Sequence, residues 1–228
     1  MHTNLPIICT MMLAPPTRFY TMLSHAVNQT YNAGLNYANK NSSCAYTNTD
    51  LLKGYGVALT SSITIAVGMR KILEPFARGG SASKQILFNG IVAVSGSAAA
   101  NFFNTMAMRY TEIDKGITMY KDEQLTQDIG ISKKGAEMAV YNTAISRMCM
   151  SLFVLSTPTT IMLFSRMLGF APAGKAPKML FDVTSIGLGL YIGLPLSVAT
   201  FPSISKTGGK NLEEPFHQHE HVYYNRGM

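Results

Sequence analysis

Residues 85–108, QILFNGIVAVSGSAAANFFNTMAM, contain no Asp, Glu, Lys or Arg. A helix through this stretch exceeds the roughly 20 residues needed to cross a hydrocarbon core. Further uncharged windows run over 1–17, 54–69, 148–165 and 183–205. Only 14% of the chain is charged, against roughly 25% in ordinary globular proteins. A buried helix of a soluble core accounts for any one window, but not for a set of them separated by charged loops. The windows do not alternate between apolar and polar residues, so they do not read as the strands of a β-barrel. The chain is therefore expected to be an all-α, multi-pass membrane helical bundle forming a single domain over 1–228. Transmembrane helices are predicted near 51–69, 85–108, 145–165 and 179–201. Residues 4–38 add a fifth crossing, a re-entrant segment or an interfacial helix. Residues 109–144 read as a polar loop and 202–228 as a polar tail.

Charge placement orients such a bundle. With four crossings, the loops 70–84 and 166–178 share one side; they carry Arg70, Lys71, Arg78, Lys84, Arg166, Lys175 and Lys178 against the single acid Glu74. The 109–137 stretch on the other side is nearly balanced, with Glu112, Asp114, Asp122, Glu123, Asp128 and Glu137 among its charges. The positive-inside rule puts the two basic loops on the cytoplasmic side or its topological equivalent, the mitochondrial matrix, and the tail on the other. The net charge of +7 does not indicate nucleic acid, because the basic residues are dispersed over loop ends with no cluster interleaved with aromatics. Attraction to anionic lipid headgroups explains them, so the bilayer is the expected partner.

Within helix 85–108, Gly90, Ser95, Gly96, Ser97 and Ala98 to Ala100 allow a neighbouring helix to approach closely. Asn89, Asn101 and Asn104 project within about 120° of one another and should face inward. Gly189, Gly193 and Pro195 in GLGLYIGLP mark either a closely packed, kinked helix or a broken one lining a substrate site. Around Pro158, Thr157, Thr159 and Thr160 are available to freed carbonyls. Arg147 either snorkels to the membrane edge or faces the bundle, where it could hold a carboxylate or an Asn carbonyl.

No catalytic constellation emerges. There is no Ser/His/Asp set in a credible frame and no glycine-rich phosphate loop, so an enzyme and a cofactor are not expected. Cys9, Cys44 and Cys149 are odd in number and lack a CxxC pair, which indicates neither a disulfide framework nor a zinc site. His217, His219 and His221 in HQHEH would need further ligands to bind a metal; the expectation is an exposed tail and no metal. No cleavable secretory signal is expected, because a basic n-region is missing and Pro6, Pro15 and Pro16 interrupt the first apolar stretch.

The stretch NQTYNAGLNYANK (28–40) is unusual. Asn28, Asn32, Asn36 and Asn39 fall within about 80° of one another on a helix, and residues 19–39 carry no Asp, Glu, Lys or Arg. With Lys40 in place of Arg, it resembles the NQxxNAxxNYxNR signature of the sideroflexins, multi-pass carriers of the inner mitochondrial membrane. Met108-Arg109, Glu112 and Gly116-Ile117, then GISKKGAEMAVYNTAISR (130–147), PLSVATFPSISK (195–206), Leu212-Glu213 and VYYNRGM (222–228) resemble further family motifs in the same order. Their collinearity covers almost the whole chain.

The resemblance implies transport of serine or another small neutral amino acid. Amides can hydrogen-bond both ends of a zwitterion without presenting a fixed charge. The substrate-binding residues it suggests are Asn28, Gln29, Asn32, Asn36, Tyr37 and Asn39, with Asn101, Asn104 and Arg147. One departure qualifies this. Family members carry further residues before the position matching Leu5, including a soluble region with an HPDTGE motif. Two functional expectations therefore stand side by side: an amino-acid transporter, and a transport-incompetent accessory subunit of a large inner-membrane assembly such as a respiratory complex or ATP synthase. A separately encoded chain supplying the family's N-terminal region is a third.

Overall fold

The computed structural model describes residues 4–15, 17–38, 47–200 and 202–226. Four long helices run antiparallel: α3 (Asn48–Ala77), α4 (Ala82–Met108), α6 (Lys133–Met167) and α7 (Lys175–Thr200). Each of the first three starts at a side-chain cap. Thr47 and Asp50 form a reciprocal capping box, Ser81 accepts from the Lys84 amide at 3.4 Å, and Ser132 from the Gly135 amide at 2.8 Å. Such caps satisfy amides that a helix start leaves open, each worth about 1 kcal/mol.

Two shorter helices precede them, α1 (Asn4–Leu13) and α2 (Arg18–Ala38). The sequential neighbours α3 and α4 pack together, as do α4 with α6 and α6 with α7; α2 lies on α3, and α1 bridges α2, α4 and α7. The six therefore surround a shared interior. Its apolar part is Ile8 of α1, Val154, Leu155 and Met162 of α6, and Ile186 and Leu190 of α7.

Helices α3, α4 and α6 are long and apolar enough to cross a membrane. They cover the predicted spans near 51–69, 85–108 and 145–165, with α6 beginning well before 145. The fourth predicted span, 179–201, falls largely in α7, whose described residues are not among these three; Lys175, Lys178 and Asp182 occupy its first turns. Within 4–38 lie α1 and α2. At about 1.5 Å per residue, α1 reaches only half of a crossing.

The expectation of an all-α fold is corrected by a small sheet. Within 109–144, read as a polar loop, lie α5 (Tyr110–Lys115), β1 (Ile117–Tyr120), β2 (Asp128–Ser132) and the first turns of α6; the tail supplies β3 (Ile204–Thr207) and β4 (Val222–Asn225). The order is β2-β1-β4-β3, all antiparallel, so the tail pairs with a segment about a hundred residues earlier. Met119, Leu212, Phe216, Val222 and Tyr224 form its core against Ala139 of α6. The physical reason for the difference is strand length: four or five residues are too few for alternation to stand out from a loop.

This cap is fastened to the bundle by Glu213. Its Oε2 accepts from Ser132 Oγ at 2.5 Å and its Oε1 from the Lys133 and Lys134 amides at 3.0 Å, so a tail carboxylate closes the N-terminus of α6. Burial raises the Glu213 pKa, but the bonds from Ser132 and the two backbone amides outweigh it and hold the carboxyl below its ordinary value. A group depressed in the folded state stabilises at neutral pH and loses that contribution as pH falls through its folded value. Cap stability should therefore decline below the ordinary Glu value of 4.5. Melting temperatures measured on acidification should show this decline, and Glu213→Gln should flatten it.

Candidate functional site

Helix α2 is inside out. Its buried residues are Thr21, Ser24, His25 and Gln29, while Phe19 (67% exposed), Tyr20, Met22, Leu23 and Val27 face outward. In water the pattern would be reversed. The same holds elsewhere in the bundle: Ser62, Ser97, Asn104, Thr143, Ser151 and Thr159 are buried, and Leu52, Val57, Ile72, Leu87, Phe103 and Leu152 are exposed. Apolar outside and polar inside is the distribution that a lipid surround selects.

The inward amides converge. A cavity of about 330 Å³ between α2, α3 and α4 is lined by Gln29, Asn32, Asn48, Tyr55 and Asn104, with Leu51, Leu52, Ala33 and Ala58 as apolar wall. That volume lies at the lower end of the roughly 300–1,000 Å³ typical of small-molecule sites. Gln29 is only 2% exposed, and its Nε2 has no hydrogen-bond partner. A smaller cavity of about 100 Å³ adjoins it across Asn32, lined by Asn28, Ser97, Asn101, Ser151 and Met11 among others. Asn101 Nδ2 donates to Ser151 Oγ at 2.6 Å and to the Arg147 carbonyl at 3.5 Å.

Of the residues expected at the site, the structure thus brings together Asn28, Gln29, Asn32, Asn101 and Asn104. Asn36 and Tyr37 lie on the last turn of α2, and Asn39 lies outside the described residues. Arg147 meets the amide face through its backbone carbonyl and is not among the residues lining either cavity. Asn89, on the same helix as Asn101, serves the opposite end of the bundle. Its Oδ1 accepts from Arg70 Nη2 at 3.2 Å, while Arg70 Nε donates to Thr21 Oγ1 at 2.5 Å. These three line or adjoin a second cavity of about 270 Å³, with Gln85, Glu74 and Arg78 at its mouth.

Sequence reasoning missed His25. It is 1% exposed, and its Nδ1 lies 2.7 Å from Ser62 Oγ of α3. The signal available was the spacing of Thr21, His25, Gln29 and Asn32, a polar row at helical intervals in an uncharged stretch. The tail histidines stand apart from all this: His217 Nε2 is 3.2 Å from the Leu212 carbonyl, and His221 is near Glu220. Among the described residues, no three His, Cys, Asp or Glu are grouped to hold a metal ion.

Small residues act as expected in close packing. A Cβ at Gly90 would meet Thr159 of α6 at 2.5 Å, and one at Gly96 would meet His25 at 2.4 Å. Gly189 and Gly193 of the continuous helix α7 lie directly against the α6 backbone at Val154, so the GLGLYIGLP stretch is a packing face.

An inside-out helical bundle with amide-lined interior cavities defines a helical membrane protein. The sequence model of the sideroflexins matches residues 1–228, and the chain belongs to the sideroflexin family. It is 29% identical to human sideroflexin-5 over 98% of this chain and 66% of that protein. Sideroflexin FSF1 of Saccharomyces cerevisiae is 28% identical, covering 88% of this chain and 63% of its own length. Human sideroflexin-3 is likewise 28% identical, over 89% of this chain and 62% of that protein. The chain thus spans about two thirds of the length of the curated relatives it matches. No solved structure matches it.

Proposed function

We propose that this sideroflexin moves serine or another small neutral amino acid across the mitochondrial inner membrane, with the Gln29 cavity as its binding site. The observation that carries the reading is the buried Gln29 amide, whose Nε2 lacks a partner and which borders a cavity rich in other amides. An unsatisfied buried donor costs about 1–3 kcal/mol, and a ligand carboxylate would satisfy it. Asn32 and Asn104 offer both acceptors for an ammonium group and donors for a carboxylate, and none of the lining residues carries a charge that would favour a charged amino acid. In this reading the basic loops face the matrix and the cap with the C-terminal tail lies in the intermembrane space.

Purified protein in liposomes should take up serine. Gln29→Leu and Asn32→Leu should each reduce uptake at least tenfold, about 1.4 kcal/mol or more of lost binding, with the melting temperature unchanged or raised. Absence of uptake by a folded sample would overturn the reading.

A second reading is favoured by the cap, which exposes Tyr110 and Ile131 and leaves β2 at a sheet edge. Here the chain is a fixed subunit of a larger inner-membrane assembly, docked through that surface. Co-migration with a large complex on a native gel after mild solubilisation supports it; migration as a free small protein rules it out.

A further inference from the structure

Two cavities lie at opposite ends of one face shared by α2, α3 and α4. On α3, Ala58 lines the Gln29 cavity and Arg70 the far one. Between them stand Ser62 and Ala66 at four-residue steps, so the four positions form one row about 18 Å long. On α4, Asn104 lines the first cavity and Val92 and Asn89 the second, with Gly96 between. On α2, Gln29 lines the first and Thr21 holds Arg70 at the second, with His25 between. The intermediate position on all three helices is therefore the same spot.

That spot is closed. Ser62 and Ala66 are fully buried and His25 nearly so. The imidazole reaches across to Ser62 and fills the notch left by the missing side chain of Gly96: a Cβ there would lie 2.4 Å from His25 Cε1, 3.0 Å from Nε2 and 2.9 Å from Ala66 Cβ. A ring held by one hydrogen bond in a notch is a plug that a rotation about two side-chain torsions can withdraw. The chemistry on its two sides also differs. The near cavity offers neutral amides; the far one offers the half-buried Arg70, steadied by Thr21 and Asn89, to which a carboxylate could pass.

We propose that the Gln29 and Arg70 cavities are two stations of a single solute path, and that His25, locked on Ser62 against Gly96, is the barrier between them. This rests on the transport reading, but its test needs no substrate.

The three native cysteines are replaced by serine, and Tyr55→Cys or Asn89→Cys is introduced to report on the near or far cavity. In liposomes of determined orientation, a membrane-impermeant thiol reagent should modify Tyr55→Cys from the cap side only and Asn89→Cys from the opposite side only. Adding His25→Ala should make each cysteine reactive from both sides, with the rate from the formerly closed side rising at least tenfold. Unchanged sidedness in a folded His25→Ala protein overturns the barrier. Should that variant fail to fold, Ser62→Ala removes only the partner hydroxyl and should raise the same cross-side rate severalfold; no rise there overturns it equally. Loss of sidedness without serine uptake refutes the transport reading and leaves the barrier standing, whereas uptake with unchanged sidedness does the reverse.

Discussion

Glu112→Ala is expected to destabilise the protein by about 3 kcal/mol, the scale for removing one partner of a buried ion pair. Arg109 is 5% exposed and ends α4; its Nε donates to Glu112 Oε1 at 2.9 Å and its Nη2 to Oε2 at 2.6 Å. A bidentate pair of this kind compensates the guanidinium for lost hydration. A second arginine is close by. Arg226 is also buried, its Nη1 donates to the Pro202 carbonyl at 3.2 Å, and it is near enough to Arg109 to feel its charge. Truncating Glu112 leaves two positive groups at the junction of cap and bundle without that carboxylate. Thermal melting in detergent should show the loss, and Glu112→Gln should recover only part of it, because its single carbonyl oxygen can accept one of the two arginine N–H groups and the charge is gone. A variant as stable as the parent would show that the pair is solvated.

Gly193→Val should have an effect at least as large. A Cβ at 193 would lie 2.9 Å from both the Cα and the amide nitrogen of Val154, and one at 189 would lie 2.9 Å from the Val154 carbonyl and 2.6 Å from Pro158 Cδ. A flexible side chain could move aside; the backbone of α6 cannot without parting the two helices along their contact. The Val154 carbonyl is also the one that Pro158 leaves without its helical donor, so α7 covers the turn where α6 is weakest. Overpacking costs about 1–3 kcal/mol when side chains can yield, and more when they cannot. The expected result is loss of folded protein at growth temperature, read as a drop in the detergent-soluble monodisperse fraction. Gly187→Ala on the same helix is the control, because a Cβ there meets nothing within 4 Å.

Much of the bundle was legible in advance. The uncharged windows located three of the long helices, since a span must be apolar along its whole length and that pattern is local. The Asn28/Asn32 part of the amide stripe and the Asn101/Asn104 face were legible as inward for the same reason: helical periodicity assigns faces without knowledge of neighbours. The inward assignment held at Asn28, Gln29 and Asn32, which border cavities, and at Asn101 and Asn104. The sheet was not legible. Its strands have four or five residues, and Tyr120 meets Tyr223 across a long separation in sequence. Neither was the role of Glu213, which caps a helix that begins 80 residues before it.

The sequence by itself determined the family, the helical class and which faces turn inward, because each is written in nearby residues or in the collinear order of motifs. Only the tertiary structure decided which inward residues meet. His25 finds Ser62 and Gly96, Arg70 finds Thr21 and Asn89, and Arg147 contributes a carbonyl to Asn101. The physical reason is that a face fixes a direction around one helix axis, whereas a contact also requires the rotation, height and separation of a second helix. Those are set by packing at glycines such as 96, 189 and 193, whose effect appears only when the partner helix is in place.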